Sequence, residues 1–142
     1  MKILGSAWLG VVSAEHVRRG VTAGIAQIGH GKRGGLARMH AGDTLIYYSP
    51  TERLGDRTAL QQFTAVGTIS DHEIWQADED DFKPFRRRVT YEDRLPVPLA
   101  AIKAQLVLAS TPNWGYQLRR GLIELTAEDA ATIRNAMVAV AR

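Results

Sequence analysis

Short apolar and alternating runs dominate the chain, and they predict a sheet of short strands with two substantial helices. The runs predict strands at residues 7–12, 25–28, 44–48, 60–69, 73–77, 85–91 and 122–125. A helix is predicted over Ala14–Ala23 with Ser13 as its N-cap, and a short helix is predicted over residues 99–106. Because strands and helices do not alternate, the pattern favours an α+β fold with a largely antiparallel, barrel-like sheet.

The C-terminal helix begins with a capping signal. Thr126 is followed three residues later by Asp129, which is similar to a capping box. Ile133, Met137 and Val140 then recur on one helical face, so we predict that this stripe packs into the core.

Three polar stretches are predicted to lie between strands. Residues 50–59 are rich in turn formers and predict a mobile hairpin tip or flap, and residues 70–72 predict a turn. Residues 78–81 gather carboxylates, but they lack the glycine and the terminal glutamate of a calcium loop. We therefore interpret residues 78–81 as a solvated turn.

The strand at residues 85–91 predicts an arginine that points into the core. Alternation along the strand gives two faces, with Phe85, Arg87, Val89 and Tyr91 on one and Arg86, Arg88 and Thr90 on the other. If the aromatic face is the core, the Arg87 guanidinium needs an anionic or hydrogen-bonding partner. That partner is either an internal carboxylate, such as Asp43 or Glu73, or a ligand.

A glycine-rich basic loop at residues 29–35 separates two predicted strands and is the candidate functional stretch. Glycines and cations can bring backbone N–H groups close to an anion. The loop contains G-x-G-x-x-G from Gly29 to Gly34, but the next strand begins at Thr44, too soon for the crossover helix of a dinucleotide fold. A phosphate loop is also excluded, because it would need glycine at Ala26 and Ser or Thr at Arg33. The stretch is either a nucleotide or base site or a plain surface loop.

Length, composition and charge narrow the classes of protein. At 142 residues the chain has room for a proper core, and we predict a single domain over residues 1–142. The chain has no cysteine, which excludes disulfides, a thiolate nucleophile and a cysteine-based metal site. It shows neither a secretory segment nor a long apolar run, so we expect a cytoplasmic protein without membrane contact. The net charge is +3, and residues 83–94 alone hold five basic side chains against two acidic ones.

The order of several motifs resembles the EVE domain family across nearly the whole chain. The N-terminal motifs are Trp8, Val11-Val12-Ser13, His16-Val17, Gln27, His30-Gly31-Lys32, Leu36, Arg38-Met39, Gly42-Asp43 and Tyr47-Tyr48-Ser49-Pro50. The C-terminal motifs are Phe63-Thr64-Ala65-Val66-Gly67, Phe82, Pro84-Phe85-Arg86-Arg87, Trp114-Gly115-Tyr116, Arg119 and Gly121. EVE domains belong with the PUA-like folds and are similar to YTH readers, so the resemblance implies a pseudo-barrel of mostly antiparallel strands with flanking helices. It also implies that a modified base of DNA or RNA binds beside the first strand and the loop after the second.

On this resemblance, we expect a non-enzymatic reader of a modified base that needs no cofactor or metal. The predicted base pocket consists of Trp8, Ser13, Gln27, His30, Lys32, Tyr48, Ser49, Trp75, Arg87 and Trp114. The predicted phosphate contacts are Lys32, Arg33, Arg86 and Arg88. Ser13 and Gln27 would hydrogen-bond the base edge. YTH readers place a tryptophan near the position of Ala26, so the stacking ring in this chain would instead be Trp8, Tyr48, Trp75 or Trp114.

Two other functions would use the same residues. A small-molecule or nucleotide-binding module would fill the same pocket without any preference for nucleic acid. A nucleotide-acting hydrolase would use His16, His30 and Asp43 as acid–base groups. No nucleophile elbow, zinc-ligand spacing or paired-acid motif in the sequence supports the hydrolase.

Overall fold

The computed structural model describes residues 5–138, which are built around one seven-stranded sheet. The strands are β1 (Ala7–Val11), β2 (Ile25–Ala26), β3 (Thr44–Ser49), β4 (Gln62–Gln76), β5 (Phe85–Tyr91), β6 (Val97–Pro98) and β7 (Leu122–Leu125). The α-helices are α1 (Ala14–Ala23), α2 (Arg33–Arg38), α3 (Leu99–Ile102) and α4 (Ala127–Ala136). Short 3₁₀ helices cover Gly29–Gly31, Lys103–Gln105 and Trp114–Arg120. The predicted stripe residue Val140 lies outside the described residues.

The strand order confirms the α+β class with a mostly antiparallel sheet. The order is β2-β5-β4-β3-β1-β7, and β6 pairs separately with β4. Only the β1–β3 pair is parallel among the ladders of the described residues. The sheet does not close into a barrel, because no ladder within residues 5–138 joins β2 to β7.

Both faces of the sheet are covered, which explains why β3 is buried along its whole length. One apolar cluster packs the sheet against α3 and α4, with Ile133 and Met137 among its members. The other cluster packs the opposite face against α1 and α2, through Val17 and Leu36. No helix within residues 5–138 combines the length and the apolar character needed to cross a membrane.

The predicted turn at residues 70–72 is wrong, because β4 continues through it as one strand. The pairing with β5 shifts between the Ile69↔Val89 pair and the Ile74↔Arg87 pair. Residues 70–73 of β4 therefore lie opposite a single residue of β5, Arg88. This irregularity is a bulge, and its residues are polar because they bind the arginines of β5 rather than pack in the core. A polar run of this kind gives the same sequence signal as a turn.

The predicted basic loop contains a short helix, α2. Glycines disfavour helices in isolation, but the tertiary contacts of the buried Leu36 side chain stabilise this one. Gly35 packs closely on Ile28, because a Cβ there would lie 2.8 Å from the Ile28 Cδ1 atom and the end of that side chain would have to shift. The strand before the loop is also shorter than predicted and ends at Ala26.

The two longer helices begin at the predicted residues but are capped differently. The Thr126 hydroxyl accepts a hydrogen bond from the Asp129 amide at 3.1 Å, as predicted. Ser13 precedes α1, but its side chain makes no capping hydrogen bond. The first amides of α1 donate instead to the carbonyl oxygens of Thr51 and Glu52. The first two amides of α1 therefore already have acceptors within the chain.

Candidate functional site

A cleft of about 370 Å³ lies between α1, the β2 segment and the hairpin that joins β4 to β5. This volume is within the range of small-ligand pockets. The lining residues are His16, Val17, Arg19, Gly20, Ala23, Ile25, Gln27, Tyr47, Glu79, Phe82 and Arg86. They combine apolar surface with amide, imidazole, phenol and charged groups.

The pairing of β2 with β5 positions one polar wall of the cleft. Ala26 pairs with Arg87, so Gln27, the residue that follows β2, lies beside Arg86. The Arg86 Nε donates to the Gln27 Oε1 at 2.9 Å, and its Nη2 lies 3.1 Å from the Glu79 Oε1. Since the Gln27 oxygen is engaged, its amide NH₂ remains as a donor toward a ligand.

The hairpin at residues 79–82 places an aromatic ring at the rim. Glu79 and Phe82 exchange backbone hydrogen bonds of 2.8 and 3.2 Å across a tight turn. This geometry confirms the interpretation of residues 78–81 as a turn, and the described residues hold no cluster suited to a metal. The Phe82 side chain is 44% exposed. A Cβ at Gly31 would lie 3.0 Å from the Phe82 Cζ, so a glycine with φ of 83° allows the ring to pack there.

A buried pair of tyrosines lies beneath the cleft. The Tyr47 and Tyr91 rings stack with centroids 6.5 Å apart, and the Tyr91 hydroxyl donates to the Ile25 carbonyl oxygen at 2.8 Å. Burial raises the pKa of Tyr47 to about 12 and also raises the pKa of Tyr91. Both phenols therefore keep their protons at neutral pH and can donate hydrogen bonds.

His16 is neutral in the cleft at neutral pH. Burial, followed by the charge of Arg19, lowers its pKa below the ordinary value of 6.5. The Arg19 Nη2 lies 3.5 Å from the His16 Nδ1, and a guanidinium can only donate, so Nδ1 is the acceptor. Glu15 and Arg86 are the other charged groups that influence His16, with opposite signs.

The lowered pKa of His16 predicts a pH-dependent component of stability. Between the lowered folded-state pKa and 6.5, the unfolded chain binds more protons than the folded chain. The free energy of unfolding should therefore fall as the pH drops through this window, and His16→Asn should lack that component. Urea titrations at several pH values measure the difference between the two proteins. An NMR titration of the His16 ring that gives a pKa of 6.5 or higher would contradict the prediction.

Among the predicted base-pocket residues, Gln27 lines the cleft, whereas Trp8, Tyr48 and Ser49 are buried elsewhere. The Ser49 hydroxyl lies 2.7 Å from the Thr64 hydroxyl, and the Tyr48 ring packs on Phe63 with centroids 5.4 Å apart. The Trp8 indole N–H donates to Asp43. These three side chains do not face the cleft, because each is buried against its partners in the interior of the protein.

The other predicted pocket residues lie outside the cleft lining. The ring of Trp75 lies under the Arg88 guanidinium at 5.0 Å, and Trp114 has the Lys103 ammonium 6.0 Å from its ring. His30 and Lys32 are exposed in and after the 3₁₀ turn, and Ser13 is half-buried before α1. Their participation in binding stays a prediction.

Arg87 points inward, as alternation predicts, but both predicted carboxylate partners are wrong. Its Nη1 donates to the carbonyl oxygens of Leu36 at 2.7 Å and Met39 at 2.6 Å. Its Nη2 donates to the carbonyl oxygen of Asp71 at 2.9 Å. Burial lowers the pKa of Arg87, with the charges of Asp71 and Asp43 opposing the shift. Arg87 therefore joins α2 to the bulge of β4 and does not line the cleft.

The predicted phosphate contacts fall into two groups. The Arg88 Nη1 lies 3.2 Å from the Asp71 carboxylate and 2.6 Å from the Glu73 carboxylate, and Arg86 pairs with Glu79. Lys32 and Arg33 are exposed and form no ion pair with any described residue. The predicted positive patch at residues 83–94 is thus largely neutralised by carboxylates across the sheet.

Sequence reasoning missed His16, Tyr47 and Phe82 as lining residues. One signal was present, since His16, Gly20 and Ala23 recur at helical spacing and share a face of α1. The position of Phe82 depends on the β2–β5 pairing, which no short-range pattern specifies.

Comparisons with known proteins identify the family. A sequence model of the EVE domain matches residues 6–136. The chain belongs to the EVE domain family. A UPF0310 protein of Renibacterium salmoninarum is 50% identical over 134 residues, covering 94% of this chain and 96% of that protein. The UPF0310 protein YdcG of Bacillus subtilis is 38% identical over 132 residues, covering 92% and 90%.

Solved structures share the fold of this EVE domain at low sequence identity. The NMR structure of Rpa0253 from Rhodopseudomonas palustris has a TM-score of 0.58 at 20% identity, covering 94% of this chain and 93% of that one. A hypothetical protein from Leishmania major gives a TM-score of 0.58 at 11% identity, covering 92% of each chain. Family membership suggests a module that binds nucleic acid or a modified base, and the relatives carry no enzyme names.

Proposed function

We propose that this EVE domain is a non-enzymatic binding protein that receives a modified base of DNA or RNA in the cleft between α1 and the hairpin at residues 79–82. The observation that carries the proposal is the combination of the exposed Phe82 ring with the free amide donors of Gln27 in one cleft of about 370 Å³. A flipped base is held by ring stacking together with hydrogen bonds to its edge.

The division of the cleft into polar and apolar walls supports a base as the ligand. Phe82 offers a ring face for stacking, which contributes about 1–3 kcal/mol per base in other proteins. The amide of Gln27 offers donors for a carbonyl or ring nitrogen, and the neutral His16 adds no charge at this point. Val17 and Ile25 supply apolar wall that suits a methyl group or a similar small substituent.

The hydrolase alternative loses its proposed acid–base set. Asp43 is buried before β3, where it accepts from the Ser6 amide that precedes β1. His16 lies on α1, after the opposite end of β1, and β1 has five residues, or about 16 Å at the usual rise per residue. Asp43 and His16 therefore cannot act as one catalytic pair. His30 is exposed in the 3₁₀ turn.

Phe82→Ala is expected to weaken the binding of a strand with a modified base by about tenfold, because the stacking surface is removed. Fluorescence anisotropy with short single strands measures this effect. The central base should be unmodified in one set, and methylated or hydroxymethylated cytosine or N6-methyladenine in others, in both DNA and RNA. Gln27→Ala should reduce the preference among bases, since it removes the edge donors.

Trp75→Ala is the comparison variant, because Trp75 is a rival predicted stacking ring that lies outside the cleft under Arg88. Its affinity should stay within about twofold of the original protein, in line with a surface change away from the binding site. Equal effects of the two ring deletions would contradict the cleft as the base site. Tight binding of free modified nucleosides with no gain from the strand would favour the small-molecule module instead.

Cytoplasmic location and the single-domain span over residues 1–142 stay predictions.

A further inference from the structure

The basic side chains of the described residues fall into two classes. Eight lysines or arginines form ion pairs with carboxylates at 2.6–3.9 Å. The others within residues 5–138 have no carboxylate within ion-pair distance. Among these, Arg87 is buried on backbone carbonyl groups, and Arg57 lies alone in the exposed turn after β3. The remaining six are Lys32, Arg33, Arg38, Lys103, Arg119 and Arg120.

These six cations lie in two acid-free stretches of the chain. Neither residues 16–42 nor residues 94–123 contain an aspartate or a glutamate. The surrounding sequence therefore offers no local anion to neutralise these cations. A folded surface retains such an unpaired cluster at an electrostatic cost, which an anionic partner would relieve.

The two stretches meet on one side of the molecule. The Arg38 Nη1 donates to the Leu122 carbonyl oxygen at 3.4 Å, and Leu122 follows Arg119 and Arg120 closely in the chain. A Cβ at Gly35 would lie 3.6 Å from the Leu122 Cδ2, so α2 packs directly beside the start of β7. The C-terminal end of α2 and the C-terminal end of the 3₁₀ helix Trp114–Arg120 therefore both lie at the start of β7, an edge strand of the sheet.

Aromatic rings are interleaved with these cations. The Arg119 guanidinium lies 4.5 Å from the Tyr116 ring centroid, and the Tyr116 side chain is 65% exposed. Leu118 of the same 3₁₀ helix turns inward against the core, so Tyr116 is the main apolar group presented outward there. A lone exposed ring among cations suits a stacked base with its phosphates better than a lipid surface, which needs a continuous apolar face.

The same surface adjoins the cleft. Gly31 packs against Phe82 at the cleft rim, and the chain continues directly into Lys32 and Arg33. Helix α2 then leads from these two residues to Arg38, beside Leu122. Five of the six unpaired cations, all except Lys103, thus lie between the rim of the cleft and the C-terminal end of the 3₁₀ helix Trp114–Arg120.

We propose that the basic–aromatic surface formed by Lys32, Arg33, Arg38, Tyr116, Arg119 and Arg120 binds the single strand that flanks the base in the cleft. The arginines neutralise its phosphates and Tyr116 stacks on one of its bases. The flanking strand runs along α2 on one side of the modified base only, and Arg86 and Arg88 take no part because carboxylates already neutralise them. This inference rests on the proposed function of the cleft.

The salt dependence of binding tests the phosphate contacts. The double variant Arg119→Gln with Arg120→Gln should flatten the slope of log K against log salt by about 0.7 for each phosphate that is no longer neutralised. Arg57→Gln is the matched control, because it removes an unpaired cation outside the surface and should leave the slope unchanged. Tyr116→Ala should weaken binding about tenfold without changing the slope, since stacking releases no counterions.

Strand polarity and a second anionic partner complete the test. When the probe strand is shortened on one side of the modified base, the original protein and the double arginine variant should bind it with equal affinity. When it is shortened on the other side, the difference in affinity between the two proteins should remain. An unchanged slope in the double variant, an equal change with Arg57→Gln, or equal effects of shortening on both sides would overturn the proposal. The proposal would also be overturned if the double arginine variant lost the ability to bind anionic lipid vesicles but bound the strand as tightly as the original protein does. Failure of the cleft is seen separately, as the absence of any effect of Phe82→Ala on the preference for the modified base.

Discussion

Arg87→Met is expected to lower the free energy of unfolding by about 3–5 kcal/mol, one of the two largest effects that we predict for this chain. The Arg87 side chain is 2% exposed and donates to three backbone carbonyl groups, those of Leu36, Met39 and Asp71. Methionine would fill most of the volume but would remove the guanidinium donors from these three carbonyl groups, and the Leu36 oxygen would keep only the Met39 amide at 3.3 Å. Urea denaturation followed by circular dichroism measures the loss.

Arg88→Met is the control for this experiment, because it makes the same substitution one residue along β5 on the exposed face. Its ion pairs with Asp71 and Glu73 are solvent-accessible, so the expected loss is only a small fraction of that for Arg87→Met. Arg87→Lys should fall between the two, since an ammonium group keeps the charge but cannot span three separate carbonyl groups. Similar losses for Arg87→Met and Arg88→Met would contradict the structural role of Arg87.

The role of Arg87 explains how a glycine-containing stretch forms a helix. Two of its acceptors, the carbonyl oxygens of Leu36 and Met39, lie at the C-terminal end of α2, where a cation is favourable. A helix of six residues with Gly34 and Gly35 has little stability alone. Arg87 thus stabilises α2, which lies between the cleft rim and the 3₁₀ helix Trp114–Arg120. Loss of the Arg87 side chain should therefore also disorder the surface along which the strand is proposed to bind.

The sequence predicted the inward direction of Arg87 but not its partners. Strand alternation is a local property, so the parity of β5 followed from its pattern of residues alone. The partners belong to α2 and to the bulge of β4, which both arise from tertiary packing. The glycines of α2 and the polar residues of the bulge favour a loop and a turn, and those local preferences were overridden.

The candidate site shows the same limit. Gln27 could be proposed from its place after β2, whereas Phe82 and His16 are brought to it by strand pairing and by the packing of α1. Tyr48 was predicted as a pocket ring, but a strand covered on both faces buries both of its neighbouring tyrosines. The excess of positive charge that the sequence shows at residues 83–94 does not form a free patch in the structure. Carboxylates from outside that segment, such as Glu73, form ion pairs with its arginines.

Asp43→Ala should produce the other large loss of stability, about 2–4 kcal/mol. Asp43 is 4% exposed, and its carboxylate accepts hydrogen bonds from the Ser6 amide at 3.1 Å, the Trp8 indole at 2.9 Å and the His40 amide at 2.8 Å. Alanine would leave all three donors without this acceptor. Urea denaturation measures the loss, and near-ultraviolet circular dichroism should show the Trp8 signal changing.

Two further substitutions separate the hydrogen bonds of Asp43 from a general effect of removing a carboxylate. Asp56→Ala removes an exposed carboxylate that accepts from the Arg53 amide at 2.9 Å, and it should cost about 1 kcal/mol or less. Asp43→Asn keeps the shape and one acceptor oxygen but turns an N–H group toward at least one of the three donors, so its loss should approach that of alanine. A variant Asp43→Asn as stable as the original protein would mean that one oxygen suffices, and the account of Asp43 as a three-donor acceptor would be wrong.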